Sequence, residues 1–494
     1  MTATAHPHEL YTVDQVRALD RRAIDELGIS GYDLMERAAT AALACLRAHW
    51  PQARRLAVHC GPGNNGGDGF LLALLARETG LHAEIVALGE SRGDDAIRAR
   101  QAYEQAGGVV RLWQTPCDLP DADVHVDALF GIGLQRALTP DVAALVQQIH
   151  ATGKPVLALD VPSGIHADTG DVPGEAVQAD ITITFIAAKR GLYTGLAPGY
   201  TGQVQLDLLG LPEALWQGFQ ADAALLPAQT LPPRPRQAHK GNNGHVLTIG
   251  GEHGTAGAIR LCSEAALRGG AGLVSVATRA EHLAAINSAR PELMAHDVNG
   301  PQALAPLLER ATVLAVGPGL GQGAWGHALW LTALDAGVPL VLDADGLNLL
   351  AREPRQFGGR AVLTPHPGEA ARLLGCDTAT IGADRFAAVR ELARRYEAVV
   401  VLKGAGSLVA DPTGRVAVCP WGNPGMASGG MGDLLTGIVA ALLAQGCDSW
   451  RAACLGVGLH ARAGDLAARH AGERGMLASD LLEPLRLLLN GRES

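Results

Sequence analysis

The chain has 494 residues, of which 48% are hydrophobic and 18% charged, so it can bury globular cores and shows no compositional tendency to disorder. Because single hydrophobic cores stop growing near ~250–300 residues, this length favours two or three domains. The formal net charge is −10, without the basic stripe that phosphate-backbone binding requires, which argues against a nucleic-acid partner.

The eight cysteines are scattered and include no C-x-x-C pair, which argues against a zinc site or a disulfide framework. Residues 1–20 lack the apolar core of an export signal, and the longest apolar run, around 434–444, is too short to span a bilayer. We therefore expect a cytoplasmic chain with neither an export signal nor a membrane span.

The first half alternates short apolar runs with segments of helical period, for example a strand at 55–60 before a helix at 70–78. Further strands are predicted at 83–88, 124–127, 156–159 and 181–185. This alternation favours a mostly parallel sheet covered by helices, as in a Rossmann-like three-layer α/β domain.

The alternation stops at a proline-rich stretch, 231–236, where the prolines favour an extended linker. It resumes with strands predicted at 245–249, 273–277, 313–316, 340–342, 361–363 and 399–402. The glycine motifs of the two halves differ, so we predict two different α/β domains, 1–228 and 229–494, rather than a duplication.

A glycine-rich loop, PGNNGGDG at 62–69, joins the first strand to the first long helix. Glycines there allow backbone N–H groups at a helix N-terminus to approach a phosphate. A tight strand–helix turn would also explain the glycines, but it would not require Asn64, Asn65 and Asp68.

Two further polar loops follow predicted strands, DALFGIG at 127–133 and DVPSG at 160–164. Because the carboxyl ends of parallel strands converge, the three loops are expected to share one site. Oxygen ligands from Asn65, Asp127 and Ser163 would suit a hard or alkali cation. Ser163 could instead cap a following helix.

In order and spacing these three motifs resemble the NAD(P)H-hydrate epimerase domain, over most of residues 10–215. The resemblance implies that Asn65, Asp127 and Ser163 coordinate K⁺ and that Asp160 is the candidate acid/base. It also implies substrate contacts from the following residues: Asn64, Asn65, Gly66, Gly67, Asp68, Gly131, Ile132, Gly133, Leu134, Gln135, Arg136, Ala137 and Asp160. A lysine near the family's site matches Lys189, which could equally be a solvated lysine at a strand end.

The second half carries its strongest signal at 422–433, GNPGMASGGMGD, immediately before an apolar helical run. Successive N–H groups at a helix N-terminus can hold a transferring phosphoryl group, and Asp433 could accept a hydroxyl proton. An acid in the first turn of a helix could also serve only to interact favourably with the helix dipole. No Walker A or protein-kinase signature is present.

The accompanying motifs narrow the resemblance to ADP/ATP-dependent NAD(P)H-hydrate dehydratase, a ribokinase-like α/β domain, over nearly all of residues 235–490. The motifs are GG at 250–251 with GA at 257–258, PELM at 291–294, GPGLG at 317–321, DAD at 343–345, TPHPGE at 364–369 and KGAGS at 403–407.

This resemblance implies two sets of contacts in the second domain. Nucleotide contacts are implied for Lys403, Gly404, Ala405, Gly406, Ser407 and Gly432, and contacts to the hydrated cofactor for Ala258, Gly321, His366 and Asp433. Lys403 could instead be a surface lysine, and His366 a purely structural loop histidine. If residues 343–345 continue a strand, at most one of Asp343 and Asp345 faces the site.

Together the halves resemble bifunctional NAD(P)H-hydrate repair enzymes. The implied reactions are exchange of the R and S forms of hydrated NADH and NADPH, and dehydration of the S form with ADP, giving AMP and phosphate. Asp433 would act as base and Mg²⁺ would neutralise the phosphates. The sequence does not decide between ADP and ATP, and family members usually form tetramers or larger homo-oligomers.

Two alternatives stay open. One is a vitamin or sugar kinase of ribokinase-like fold fused to a dinucleotide-binding module, which would release a stable phosphorylated product. The other gives the first half no enzymatic role, as a module that binds the cofactor without turning it over.

Overall fold

The computed structural model describes residues 8–114 and 118–492. The chain divides into two compact units, Met1–Ala224 and Leu225–Ser494. Among the described residues, no helix is both long and apolar enough to cross a membrane. The seven cysteines of this part are free, and Cys117 lies outside it.

The first unit alternates strands and helices, and its last strand reaches the junction of the units. Its elements are β1 (Glu9–Tyr11), α1 (Val13–Asp25), α2 (Gly31–His49), β2 (Arg55–Cys60), α3 (Asn64–Glu78), β3 (His82–Ala87), α4 (Asp94–Gln105), β4 (Val110–Leu112), β5 (Val124–Ala128), α5 (Pro140–Ala151), β6 (Val156–Leu159), β7 (Ile181–Phe185), β8 (Ala188–Lys189), β9 (Gln203–Asp207) and β10 (Ala223–Leu225).

Seven strands of this unit form a parallel sheet in the order β4-β3-β2-β5-β6-β7-β9. The chain builds outward from β2 through β3 to β4, then crosses back to β5 and builds the other way. This is the strand order of a Rossmann-like fold, whose ligands bind at the carboxyl ends of the two strands that flank the reversal. Here those strands are β2 and β5.

Helices cover both faces of this sheet. Apolar side chains of α2 and α3 pack on one face in a single core with β2, β3 and β5. Helix α5 covers the other face with Leu145, Val146 and Ile149. The strands are therefore buried on both sides, which explains their nearly continuous apolar sequences.

The second unit follows the proline-rich stretch and is also α/β. Its elements are β11 (His245–Ile249), α6 (Ala256–Arg268), β12 (Leu273–Thr278), α7 (Leu283–Ala289), β13 (Met294–Asp297), α8 (Pro301–Leu308), β14 (Val313–Val316), α9 (Ala324–Leu334), β15 (Leu340–Leu342), α10 (Ala344–Arg352), β16 (Ala361–Leu363), α11 (Pro367–Leu374), α12 (Thr378–Ala383), α13 (Arg385–Tyr396), β17 (Val399–Leu402), β18 (Leu408–Ala410), β19 (Val416–Val418), α14 (Met431–Ala444), α15 (Ser449–Ala471) and α16 (Leu482–Leu489).

The strands of this unit run in the order β13-β12-β11-β14-β15-β16-β17-β18-β19. They are parallel from β13 to β17, and β18 and β19 add an antiparallel hairpin. Helix α14 is almost wholly buried and packs closely on α6. The α/β class predicted for both halves is thus confirmed.

The predicted strands agree well with the observed ones, and several bounds coincide, such as those of β2, β6 and β14. The sequence analysis missed eight strands: β1, β4, β8, β9, β10, β13, β18 and β19. All of these except β9, which has five residues, have only two to four residues. Segments of two to four residues are too short for a periodic pattern to emerge.

Candidate active sites

The first unit contains a cavity of roughly 790 Å³ at the carboxyl ends of β2, β5 and β6. The loops after these strands, the helices α1 and α2 and the segment between β7 and β8 form its wall. The wall includes these predicted site residues: Asn64, Asn65, Asp68, Gly131, Ile132, Gly133, Leu134, Gln135, Arg136 and Asp160. The three predicted loops therefore converge on one cavity, at the position the strand order favours.

Gly66, Gly67 and Ala137 are not among the residues that line this cavity. A Cβ on Gly66 would lie 1.9 Å from the carbonyl oxygen of Gly61, and one on Gly67 would lie 2.6 Å from the sulfur of Met35. Close packing therefore requires a glycine at position 66, and at position 67 a side chain would force Met35 to move.

The side chain of Asn65 lies buried beside the cavity, in the first turn of α3. Neither its Oδ1 nor its Nδ2 has a hydrogen-bond partner in the part of the chain that the structure describes. A Cβ on Gly131 would lie 3.5 Å from Asn65 Oδ1 and 3.1 Å from Asp160 Oδ2. Because a buried polar group without a partner is costly, this amide points to a ligand.

Asp127 ends β5 and is completely buried. It accepts hydrogen bonds from the N–H of Ser163 at 2.7 Å, from Ser163 Oγ at 2.7 Å and from the N–H of Leu129 at 3.1 Å. Burial raises its pKa to about 6, although these hydrogen bonds oppose the rise. Ser163 thus joins the loops after β5 and β6, and no helix follows it, so the capping interpretation is wrong.

Asp160 follows β6 with φ of 64°, a left-handed conformation that few non-glycine residues adopt. Lys189 is 1% exposed and donates to Asp160 Oδ1, to Thr184 Oγ1 at 3.0 Å and to the carbonyl oxygen of Phe185 at 2.8 Å. Lys189 is therefore not a solvated strand-end lysine. Its three acceptors fix the ammonium against the Asp160 carboxylate.

Two more carboxyl groups face this pair. Burial and the charges of Asp160 and Asp20 raise the pKa of Asp68 well above its ordinary value. Burial also raises the pKa of Asp20, while Lys189 lowers it. Asp20 comes from α1, and the sequence analysis missed it because an acid on an amphipathic helix carries no motif.

The second unit has a cavity of roughly 420 Å³ above the carboxyl ends of β15, β16 and β17. Its lining residues are Asp343, Ala344, His366, Pro367, Glu369, Lys403, Gly404, Gly430, Gly432 and Asp433. Residues from four separate motifs thus meet here. Ala258, Gly321, Ala405, Gly406 and Ser407 do not line it.

A buried ion pair forms the floor of this cavity. Lys403 Nζ donates to Asp343 Oδ1 at 2.6 Å, and Thr436 Oγ1 donates to Asp343 Oδ2 at 2.9 Å. Burial disfavours the charge on Lys403, but Asp343 and Glu369 raise its pKa. Lys403 is therefore not a surface lysine.

Asp433 lies in the first turn of α14, directly beyond Gly430 and Gly432. A Cβ on Gly432 would lie 3.1 Å from Lys403 Nζ, so the ammonium lies close to the first turn of α14. Burial, followed by the charge of Asp343, raises the pKa of Asp433 to about 7, while Lys403 lowers it. No side chain caps this helix, so the glycine-rich N-terminus stays accessible from the cavity.

His366 has a structural role and also reaches the cavity. Its Nδ1 accepts from the N–H of Gly368 at 3.0 Å, and Glu369 Oε2 accepts from the N–H of His366 at 2.8 Å, which together cap α11. The ring's Nε2 lies 3.5 Å from Glu369 Oε1, and the side chain is 52% exposed, so a ligand in the cavity can still reach the ring.

Of the predicted residues that do not line this cavity, Ser407 and Gly321 have structural hydrogen bonds. Ser407 Oγ donates to the carbonyl oxygen of Gly404 at 2.9 Å and so closes the turn after β17. Gly321 donates its N–H to Asp345 Oδ2 at 2.9 Å. The strand ends before residue 344, so Asp345 belongs to α10, and of the two acids only Asp343 lines the cavity.

The fold and these sites define a two-unit α/β protein with a ligand cavity at the carboxyl edge of each parallel sheet. Comparisons with known proteins agree with this division. Residues 31–191 match the family model of the YjeF-related protein N-terminus, and residues 246–486 match that of NAD(P)H-hydrate dehydratase.

Curated relatives match almost the whole chain. A bifunctional NAD(P)H-hydrate repair enzyme of Coxiella burnetii is 48% identical over 97% of this chain and 99% of its own length. A bifunctional NAD(P)H-hydrate repair enzyme of Escherichia coli is 44% identical over 98% of this chain and 94% of its own length. The chain therefore belongs to the family of bifunctional NAD(P)H-hydrate repair enzymes.

A solved structure is similar to part of the chain. It is an ADP/ATP-dependent NAD(P)H-hydrate dehydratase of Bacillus subtilis, co-crystallised with ATP and Mg²⁺. It is 29% identical, with a TM-score of 0.49, and the match covers 53% of this chain and 94% of that one.

Proposed function

We propose that this chain repairs hydrated NADH and NADPH through two separate sites. The first unit exchanges the R and S forms, and the second dehydrates the S form with ADP, giving AMP and phosphate. Family membership supports both activities. The observation that carries the second is Asp433, an acid with a pKa near 7 at the uncapped N-terminus of α14.

The hydrated cofactor carries a hydroxyl group at C6 of its nicotinamide ring. In the second unit, the Asp433 carboxylate takes the proton of this hydroxyl as its oxygen attacks the β-phosphorus of ADP. AMP is the leaving group, and the amides at the start of α14 stabilise the charge that develops. The C6–O bond then breaks, phosphate departs and a proton is lost from C5, which restores the dihydropyridine. Phosphorylation thus converts a poor leaving group into a good one.

Lys403 suits the nucleotide side of this cavity because its ammonium, anchored by Asp343, faces Gly432. We assign nucleotide contacts to Lys403, the turn that follows it and Gly432. His366 and Asp433 are assigned to the hydrated cofactor. Among the described residues, no three His, Cys, Asp or Glu side chains are grouped so that they could hold a metal ion. Mg²⁺ would therefore arrive on the nucleotide phosphates, whose charge it would neutralise.

In the first unit, Asp160 is our candidate acid/base for breaking and remaking the bond at C6. Lys189 holds its Oδ1, which leaves Oδ2 directed toward Gly131 at the cavity wall. Asp68, whose raised pKa favours the protonated form, is a second proton donor within the same wall. Positioned acid–base catalysis contributes about 10²–10⁴-fold, which suits acceleration of a spontaneous exchange.

The residues present also fit a K⁺ ion at Asn65, Asp127 and Ser163. The Asn65 amide is buried without a partner, and Asp127 is a buried carboxylate whose hydrogen-bond donors are all neutral. A cation would satisfy the first and offset the charge of the second. It would also tie together the loops that form the cavity wall.

We further propose a cytoplasmic location, because the described cysteines are all free, and a homo-oligomer of four or more copies. Sedimentation equilibrium of the whole protein tests the oligomer.

Two variants test the separation of activities. Asp433→Asn should abolish dehydration of the S hydrate and leave R/S exchange at the wild-type rate, and Asp160→Asn should do the reverse. Exchange is measured by chromatography of the two hydrates without ADP, and dehydration by the absorbance of the NADH formed from pure S hydrate. If either folded variant loses both activities, the assignment to separate sites is wrong.

A further inference from the structure

The second unit has another pocket, beside its candidate active site, that is lined by two arginines. We call it the arginine pocket. It has a volume of roughly 500 Å³ and is lined by Gln322, Asn348, Ala351, Arg352 and Arg372. No carboxylate lines it, although the whole chain carries a net charge of −10.

Asp345 lies behind this pocket and positions two of the side chains that line it. Its Oδ1 accepts from the side-chain amides of Gln322 at 3.0 Å and Asn348 at 3.3 Å. Each amide therefore turns its oxygen outward, and the oxygens accept from Arg352 Nη2 and from Arg372 Nε at 2.8 Å. The arginines are thus positioned by neutral oxygens.

Neither arginine forms a salt bridge within the part of the chain that the structure describes. Arg372 uses only Nε in the bond described above, so both of its Nη groups remain for a ligand. Arg352 keeps Nη1 and Nε. Two guanidinium groups with remaining donors and no salt-bridge partner are suited to phosphate oxygens, although Arg372 also interacts with the charge of Glu369.

The arginine pocket shares two helices with the candidate active site. Ala344 lines the active-site cavity at the start of α10, and Arg352 lies eight residues further, about 12 Å along the helix. Pro367 lines that cavity at the start of α11, and Arg372 is five residues, about 7.5 Å, beyond it. The charge of Arg372 also contributes to lowering the pKa of His366.

We propose that the arginine pocket binds a phosphate group of the hydrated dinucleotide while its nicotinamide ring lies at His366 and Asp433. The ribose separates the reactive ring from the phosphates, so they must lie away from C6, as the pocket does. The inference rests on the proposed dehydratase function. The phosphate is either the pyrophosphate, common to both hydrates, or the 2′-phosphate, which only the NADPH hydrate carries.

The test is the double variant Arg352→Gln, Arg372→Gln in the full-length protein, assayed with pure S hydrates of NADH and NADPH at saturating ADP. We expect KM to rise about tenfold with kcat nearly unchanged, as the loss of charge-assisted hydrogen bonds at a partly exposed site predicts. A rise for both hydrates identifies the pyrophosphate, and a rise for the NADPH hydrate alone identifies the 2′-phosphate. Arg355→Gln removes a nearby exposed charge outside the pocket and is the matched control.

Salt provides a second readout. Raising the ionic strength should increase the wild-type KM for the hydrate more than that of the double variant, because the wild type has more phosphate contacts to screen. An unchanged KM for both hydrates, or a rise only in the KM for ADP, overturns the proposal. If the wild-type protein dehydrates neither hydrate, the proposed function itself fails, and that result is visible before any variant is made.

Discussion

The pH dependence of dehydration provides a direct test of Asp433 as the base. Burial and the charge of Asp343 raise its pKa to about 7, so its deprotonated fraction is about one half at pH 7 and about one tenth at pH 6. Because only the carboxylate form accepts the hydroxyl proton, kcat should fall about fivefold between these pH values. An ordinary aspartate would already be fully ionised at both.

Asp343→Asn sharpens this test because it removes the second-largest cause of the raised pKa. The acid limb of the kcat profile should move to lower pH, since a nearby negative charge is lost. Burial, the largest cause, remains, so the midpoint should stay above that of an exposed aspartate. The assay follows NADH absorbance from pure S hydrate at saturating ADP. A flat kcat between pH 6 and 8, or a midpoint that rises in the variant, would refute the reasoning.

Three further predictions concern packing, stability and K⁺. Gly437→Ala places a Cβ 2.0 Å from the carbonyl oxygen of Cys262, forcing α14 away from α6, and should cost about 3 kcal/mol or more in urea unfolding; Gly382→Ala, with open space around it, is the control and should change stability by less than about 1 kcal/mol. Asp433→Asn should stabilise the fold at neutral pH. The pKa of Asp433 is raised from 3.8 to about 7 in the folded protein, so the stability of the wild type falls as pH rises through this range. The melting temperatures of variant and wild type should differ little near pH 4 and most at pH 8. Asn65→Ala should remove the acceleration of R/S exchange by K⁺, whereas Asn64→Ala should keep it. The exchange rate is measured with and without K⁺ in a buffer that contains no Na⁺, and K⁺ activation that persists in Asn65→Ala would exclude Asn65 as a ligand.

The structure brings together the predicted site residues that directly follow strands. Because parallel strands end at one edge, loops distant in sequence, such as those holding Asp343, His366 and Lys403, converge on one cavity. The sequence could not predict which members of a motif face the ligand. Gly66 and Gly67 match the substrate loop, yet neither lines the cavity, and a Cβ on Gly66 would lie 1.9 Å from the carbonyl oxygen of Gly61.

Other features depend on tertiary placement alone. Asp20 reaches the first cavity only because α1 packs beside it, and no local pattern marks such an acid. The alternation expected for Asp343 and Asp345 assumed a continued strand, but the chain turns into α10 at Ala344 with a positive φ of 47°. That turn directs Asp345 to Gly321 and to the arginine pocket.

The central claim is that one chain carries both activities, and one time course tests it most directly. A mixture of R and S hydrates of NADH is incubated with the protein, ADP, Mg²⁺ and K⁺, and NADH absorbance is followed. The account predicts rapid conversion of the whole mixture. Conversion that stops at the S fraction and then continues only at the spontaneous rate would contradict an epimerase in the first unit. If ADP is consumed and a stable phosphorylated product accumulates while no NADH forms, the assignment of a dehydratase to the second unit is contradicted.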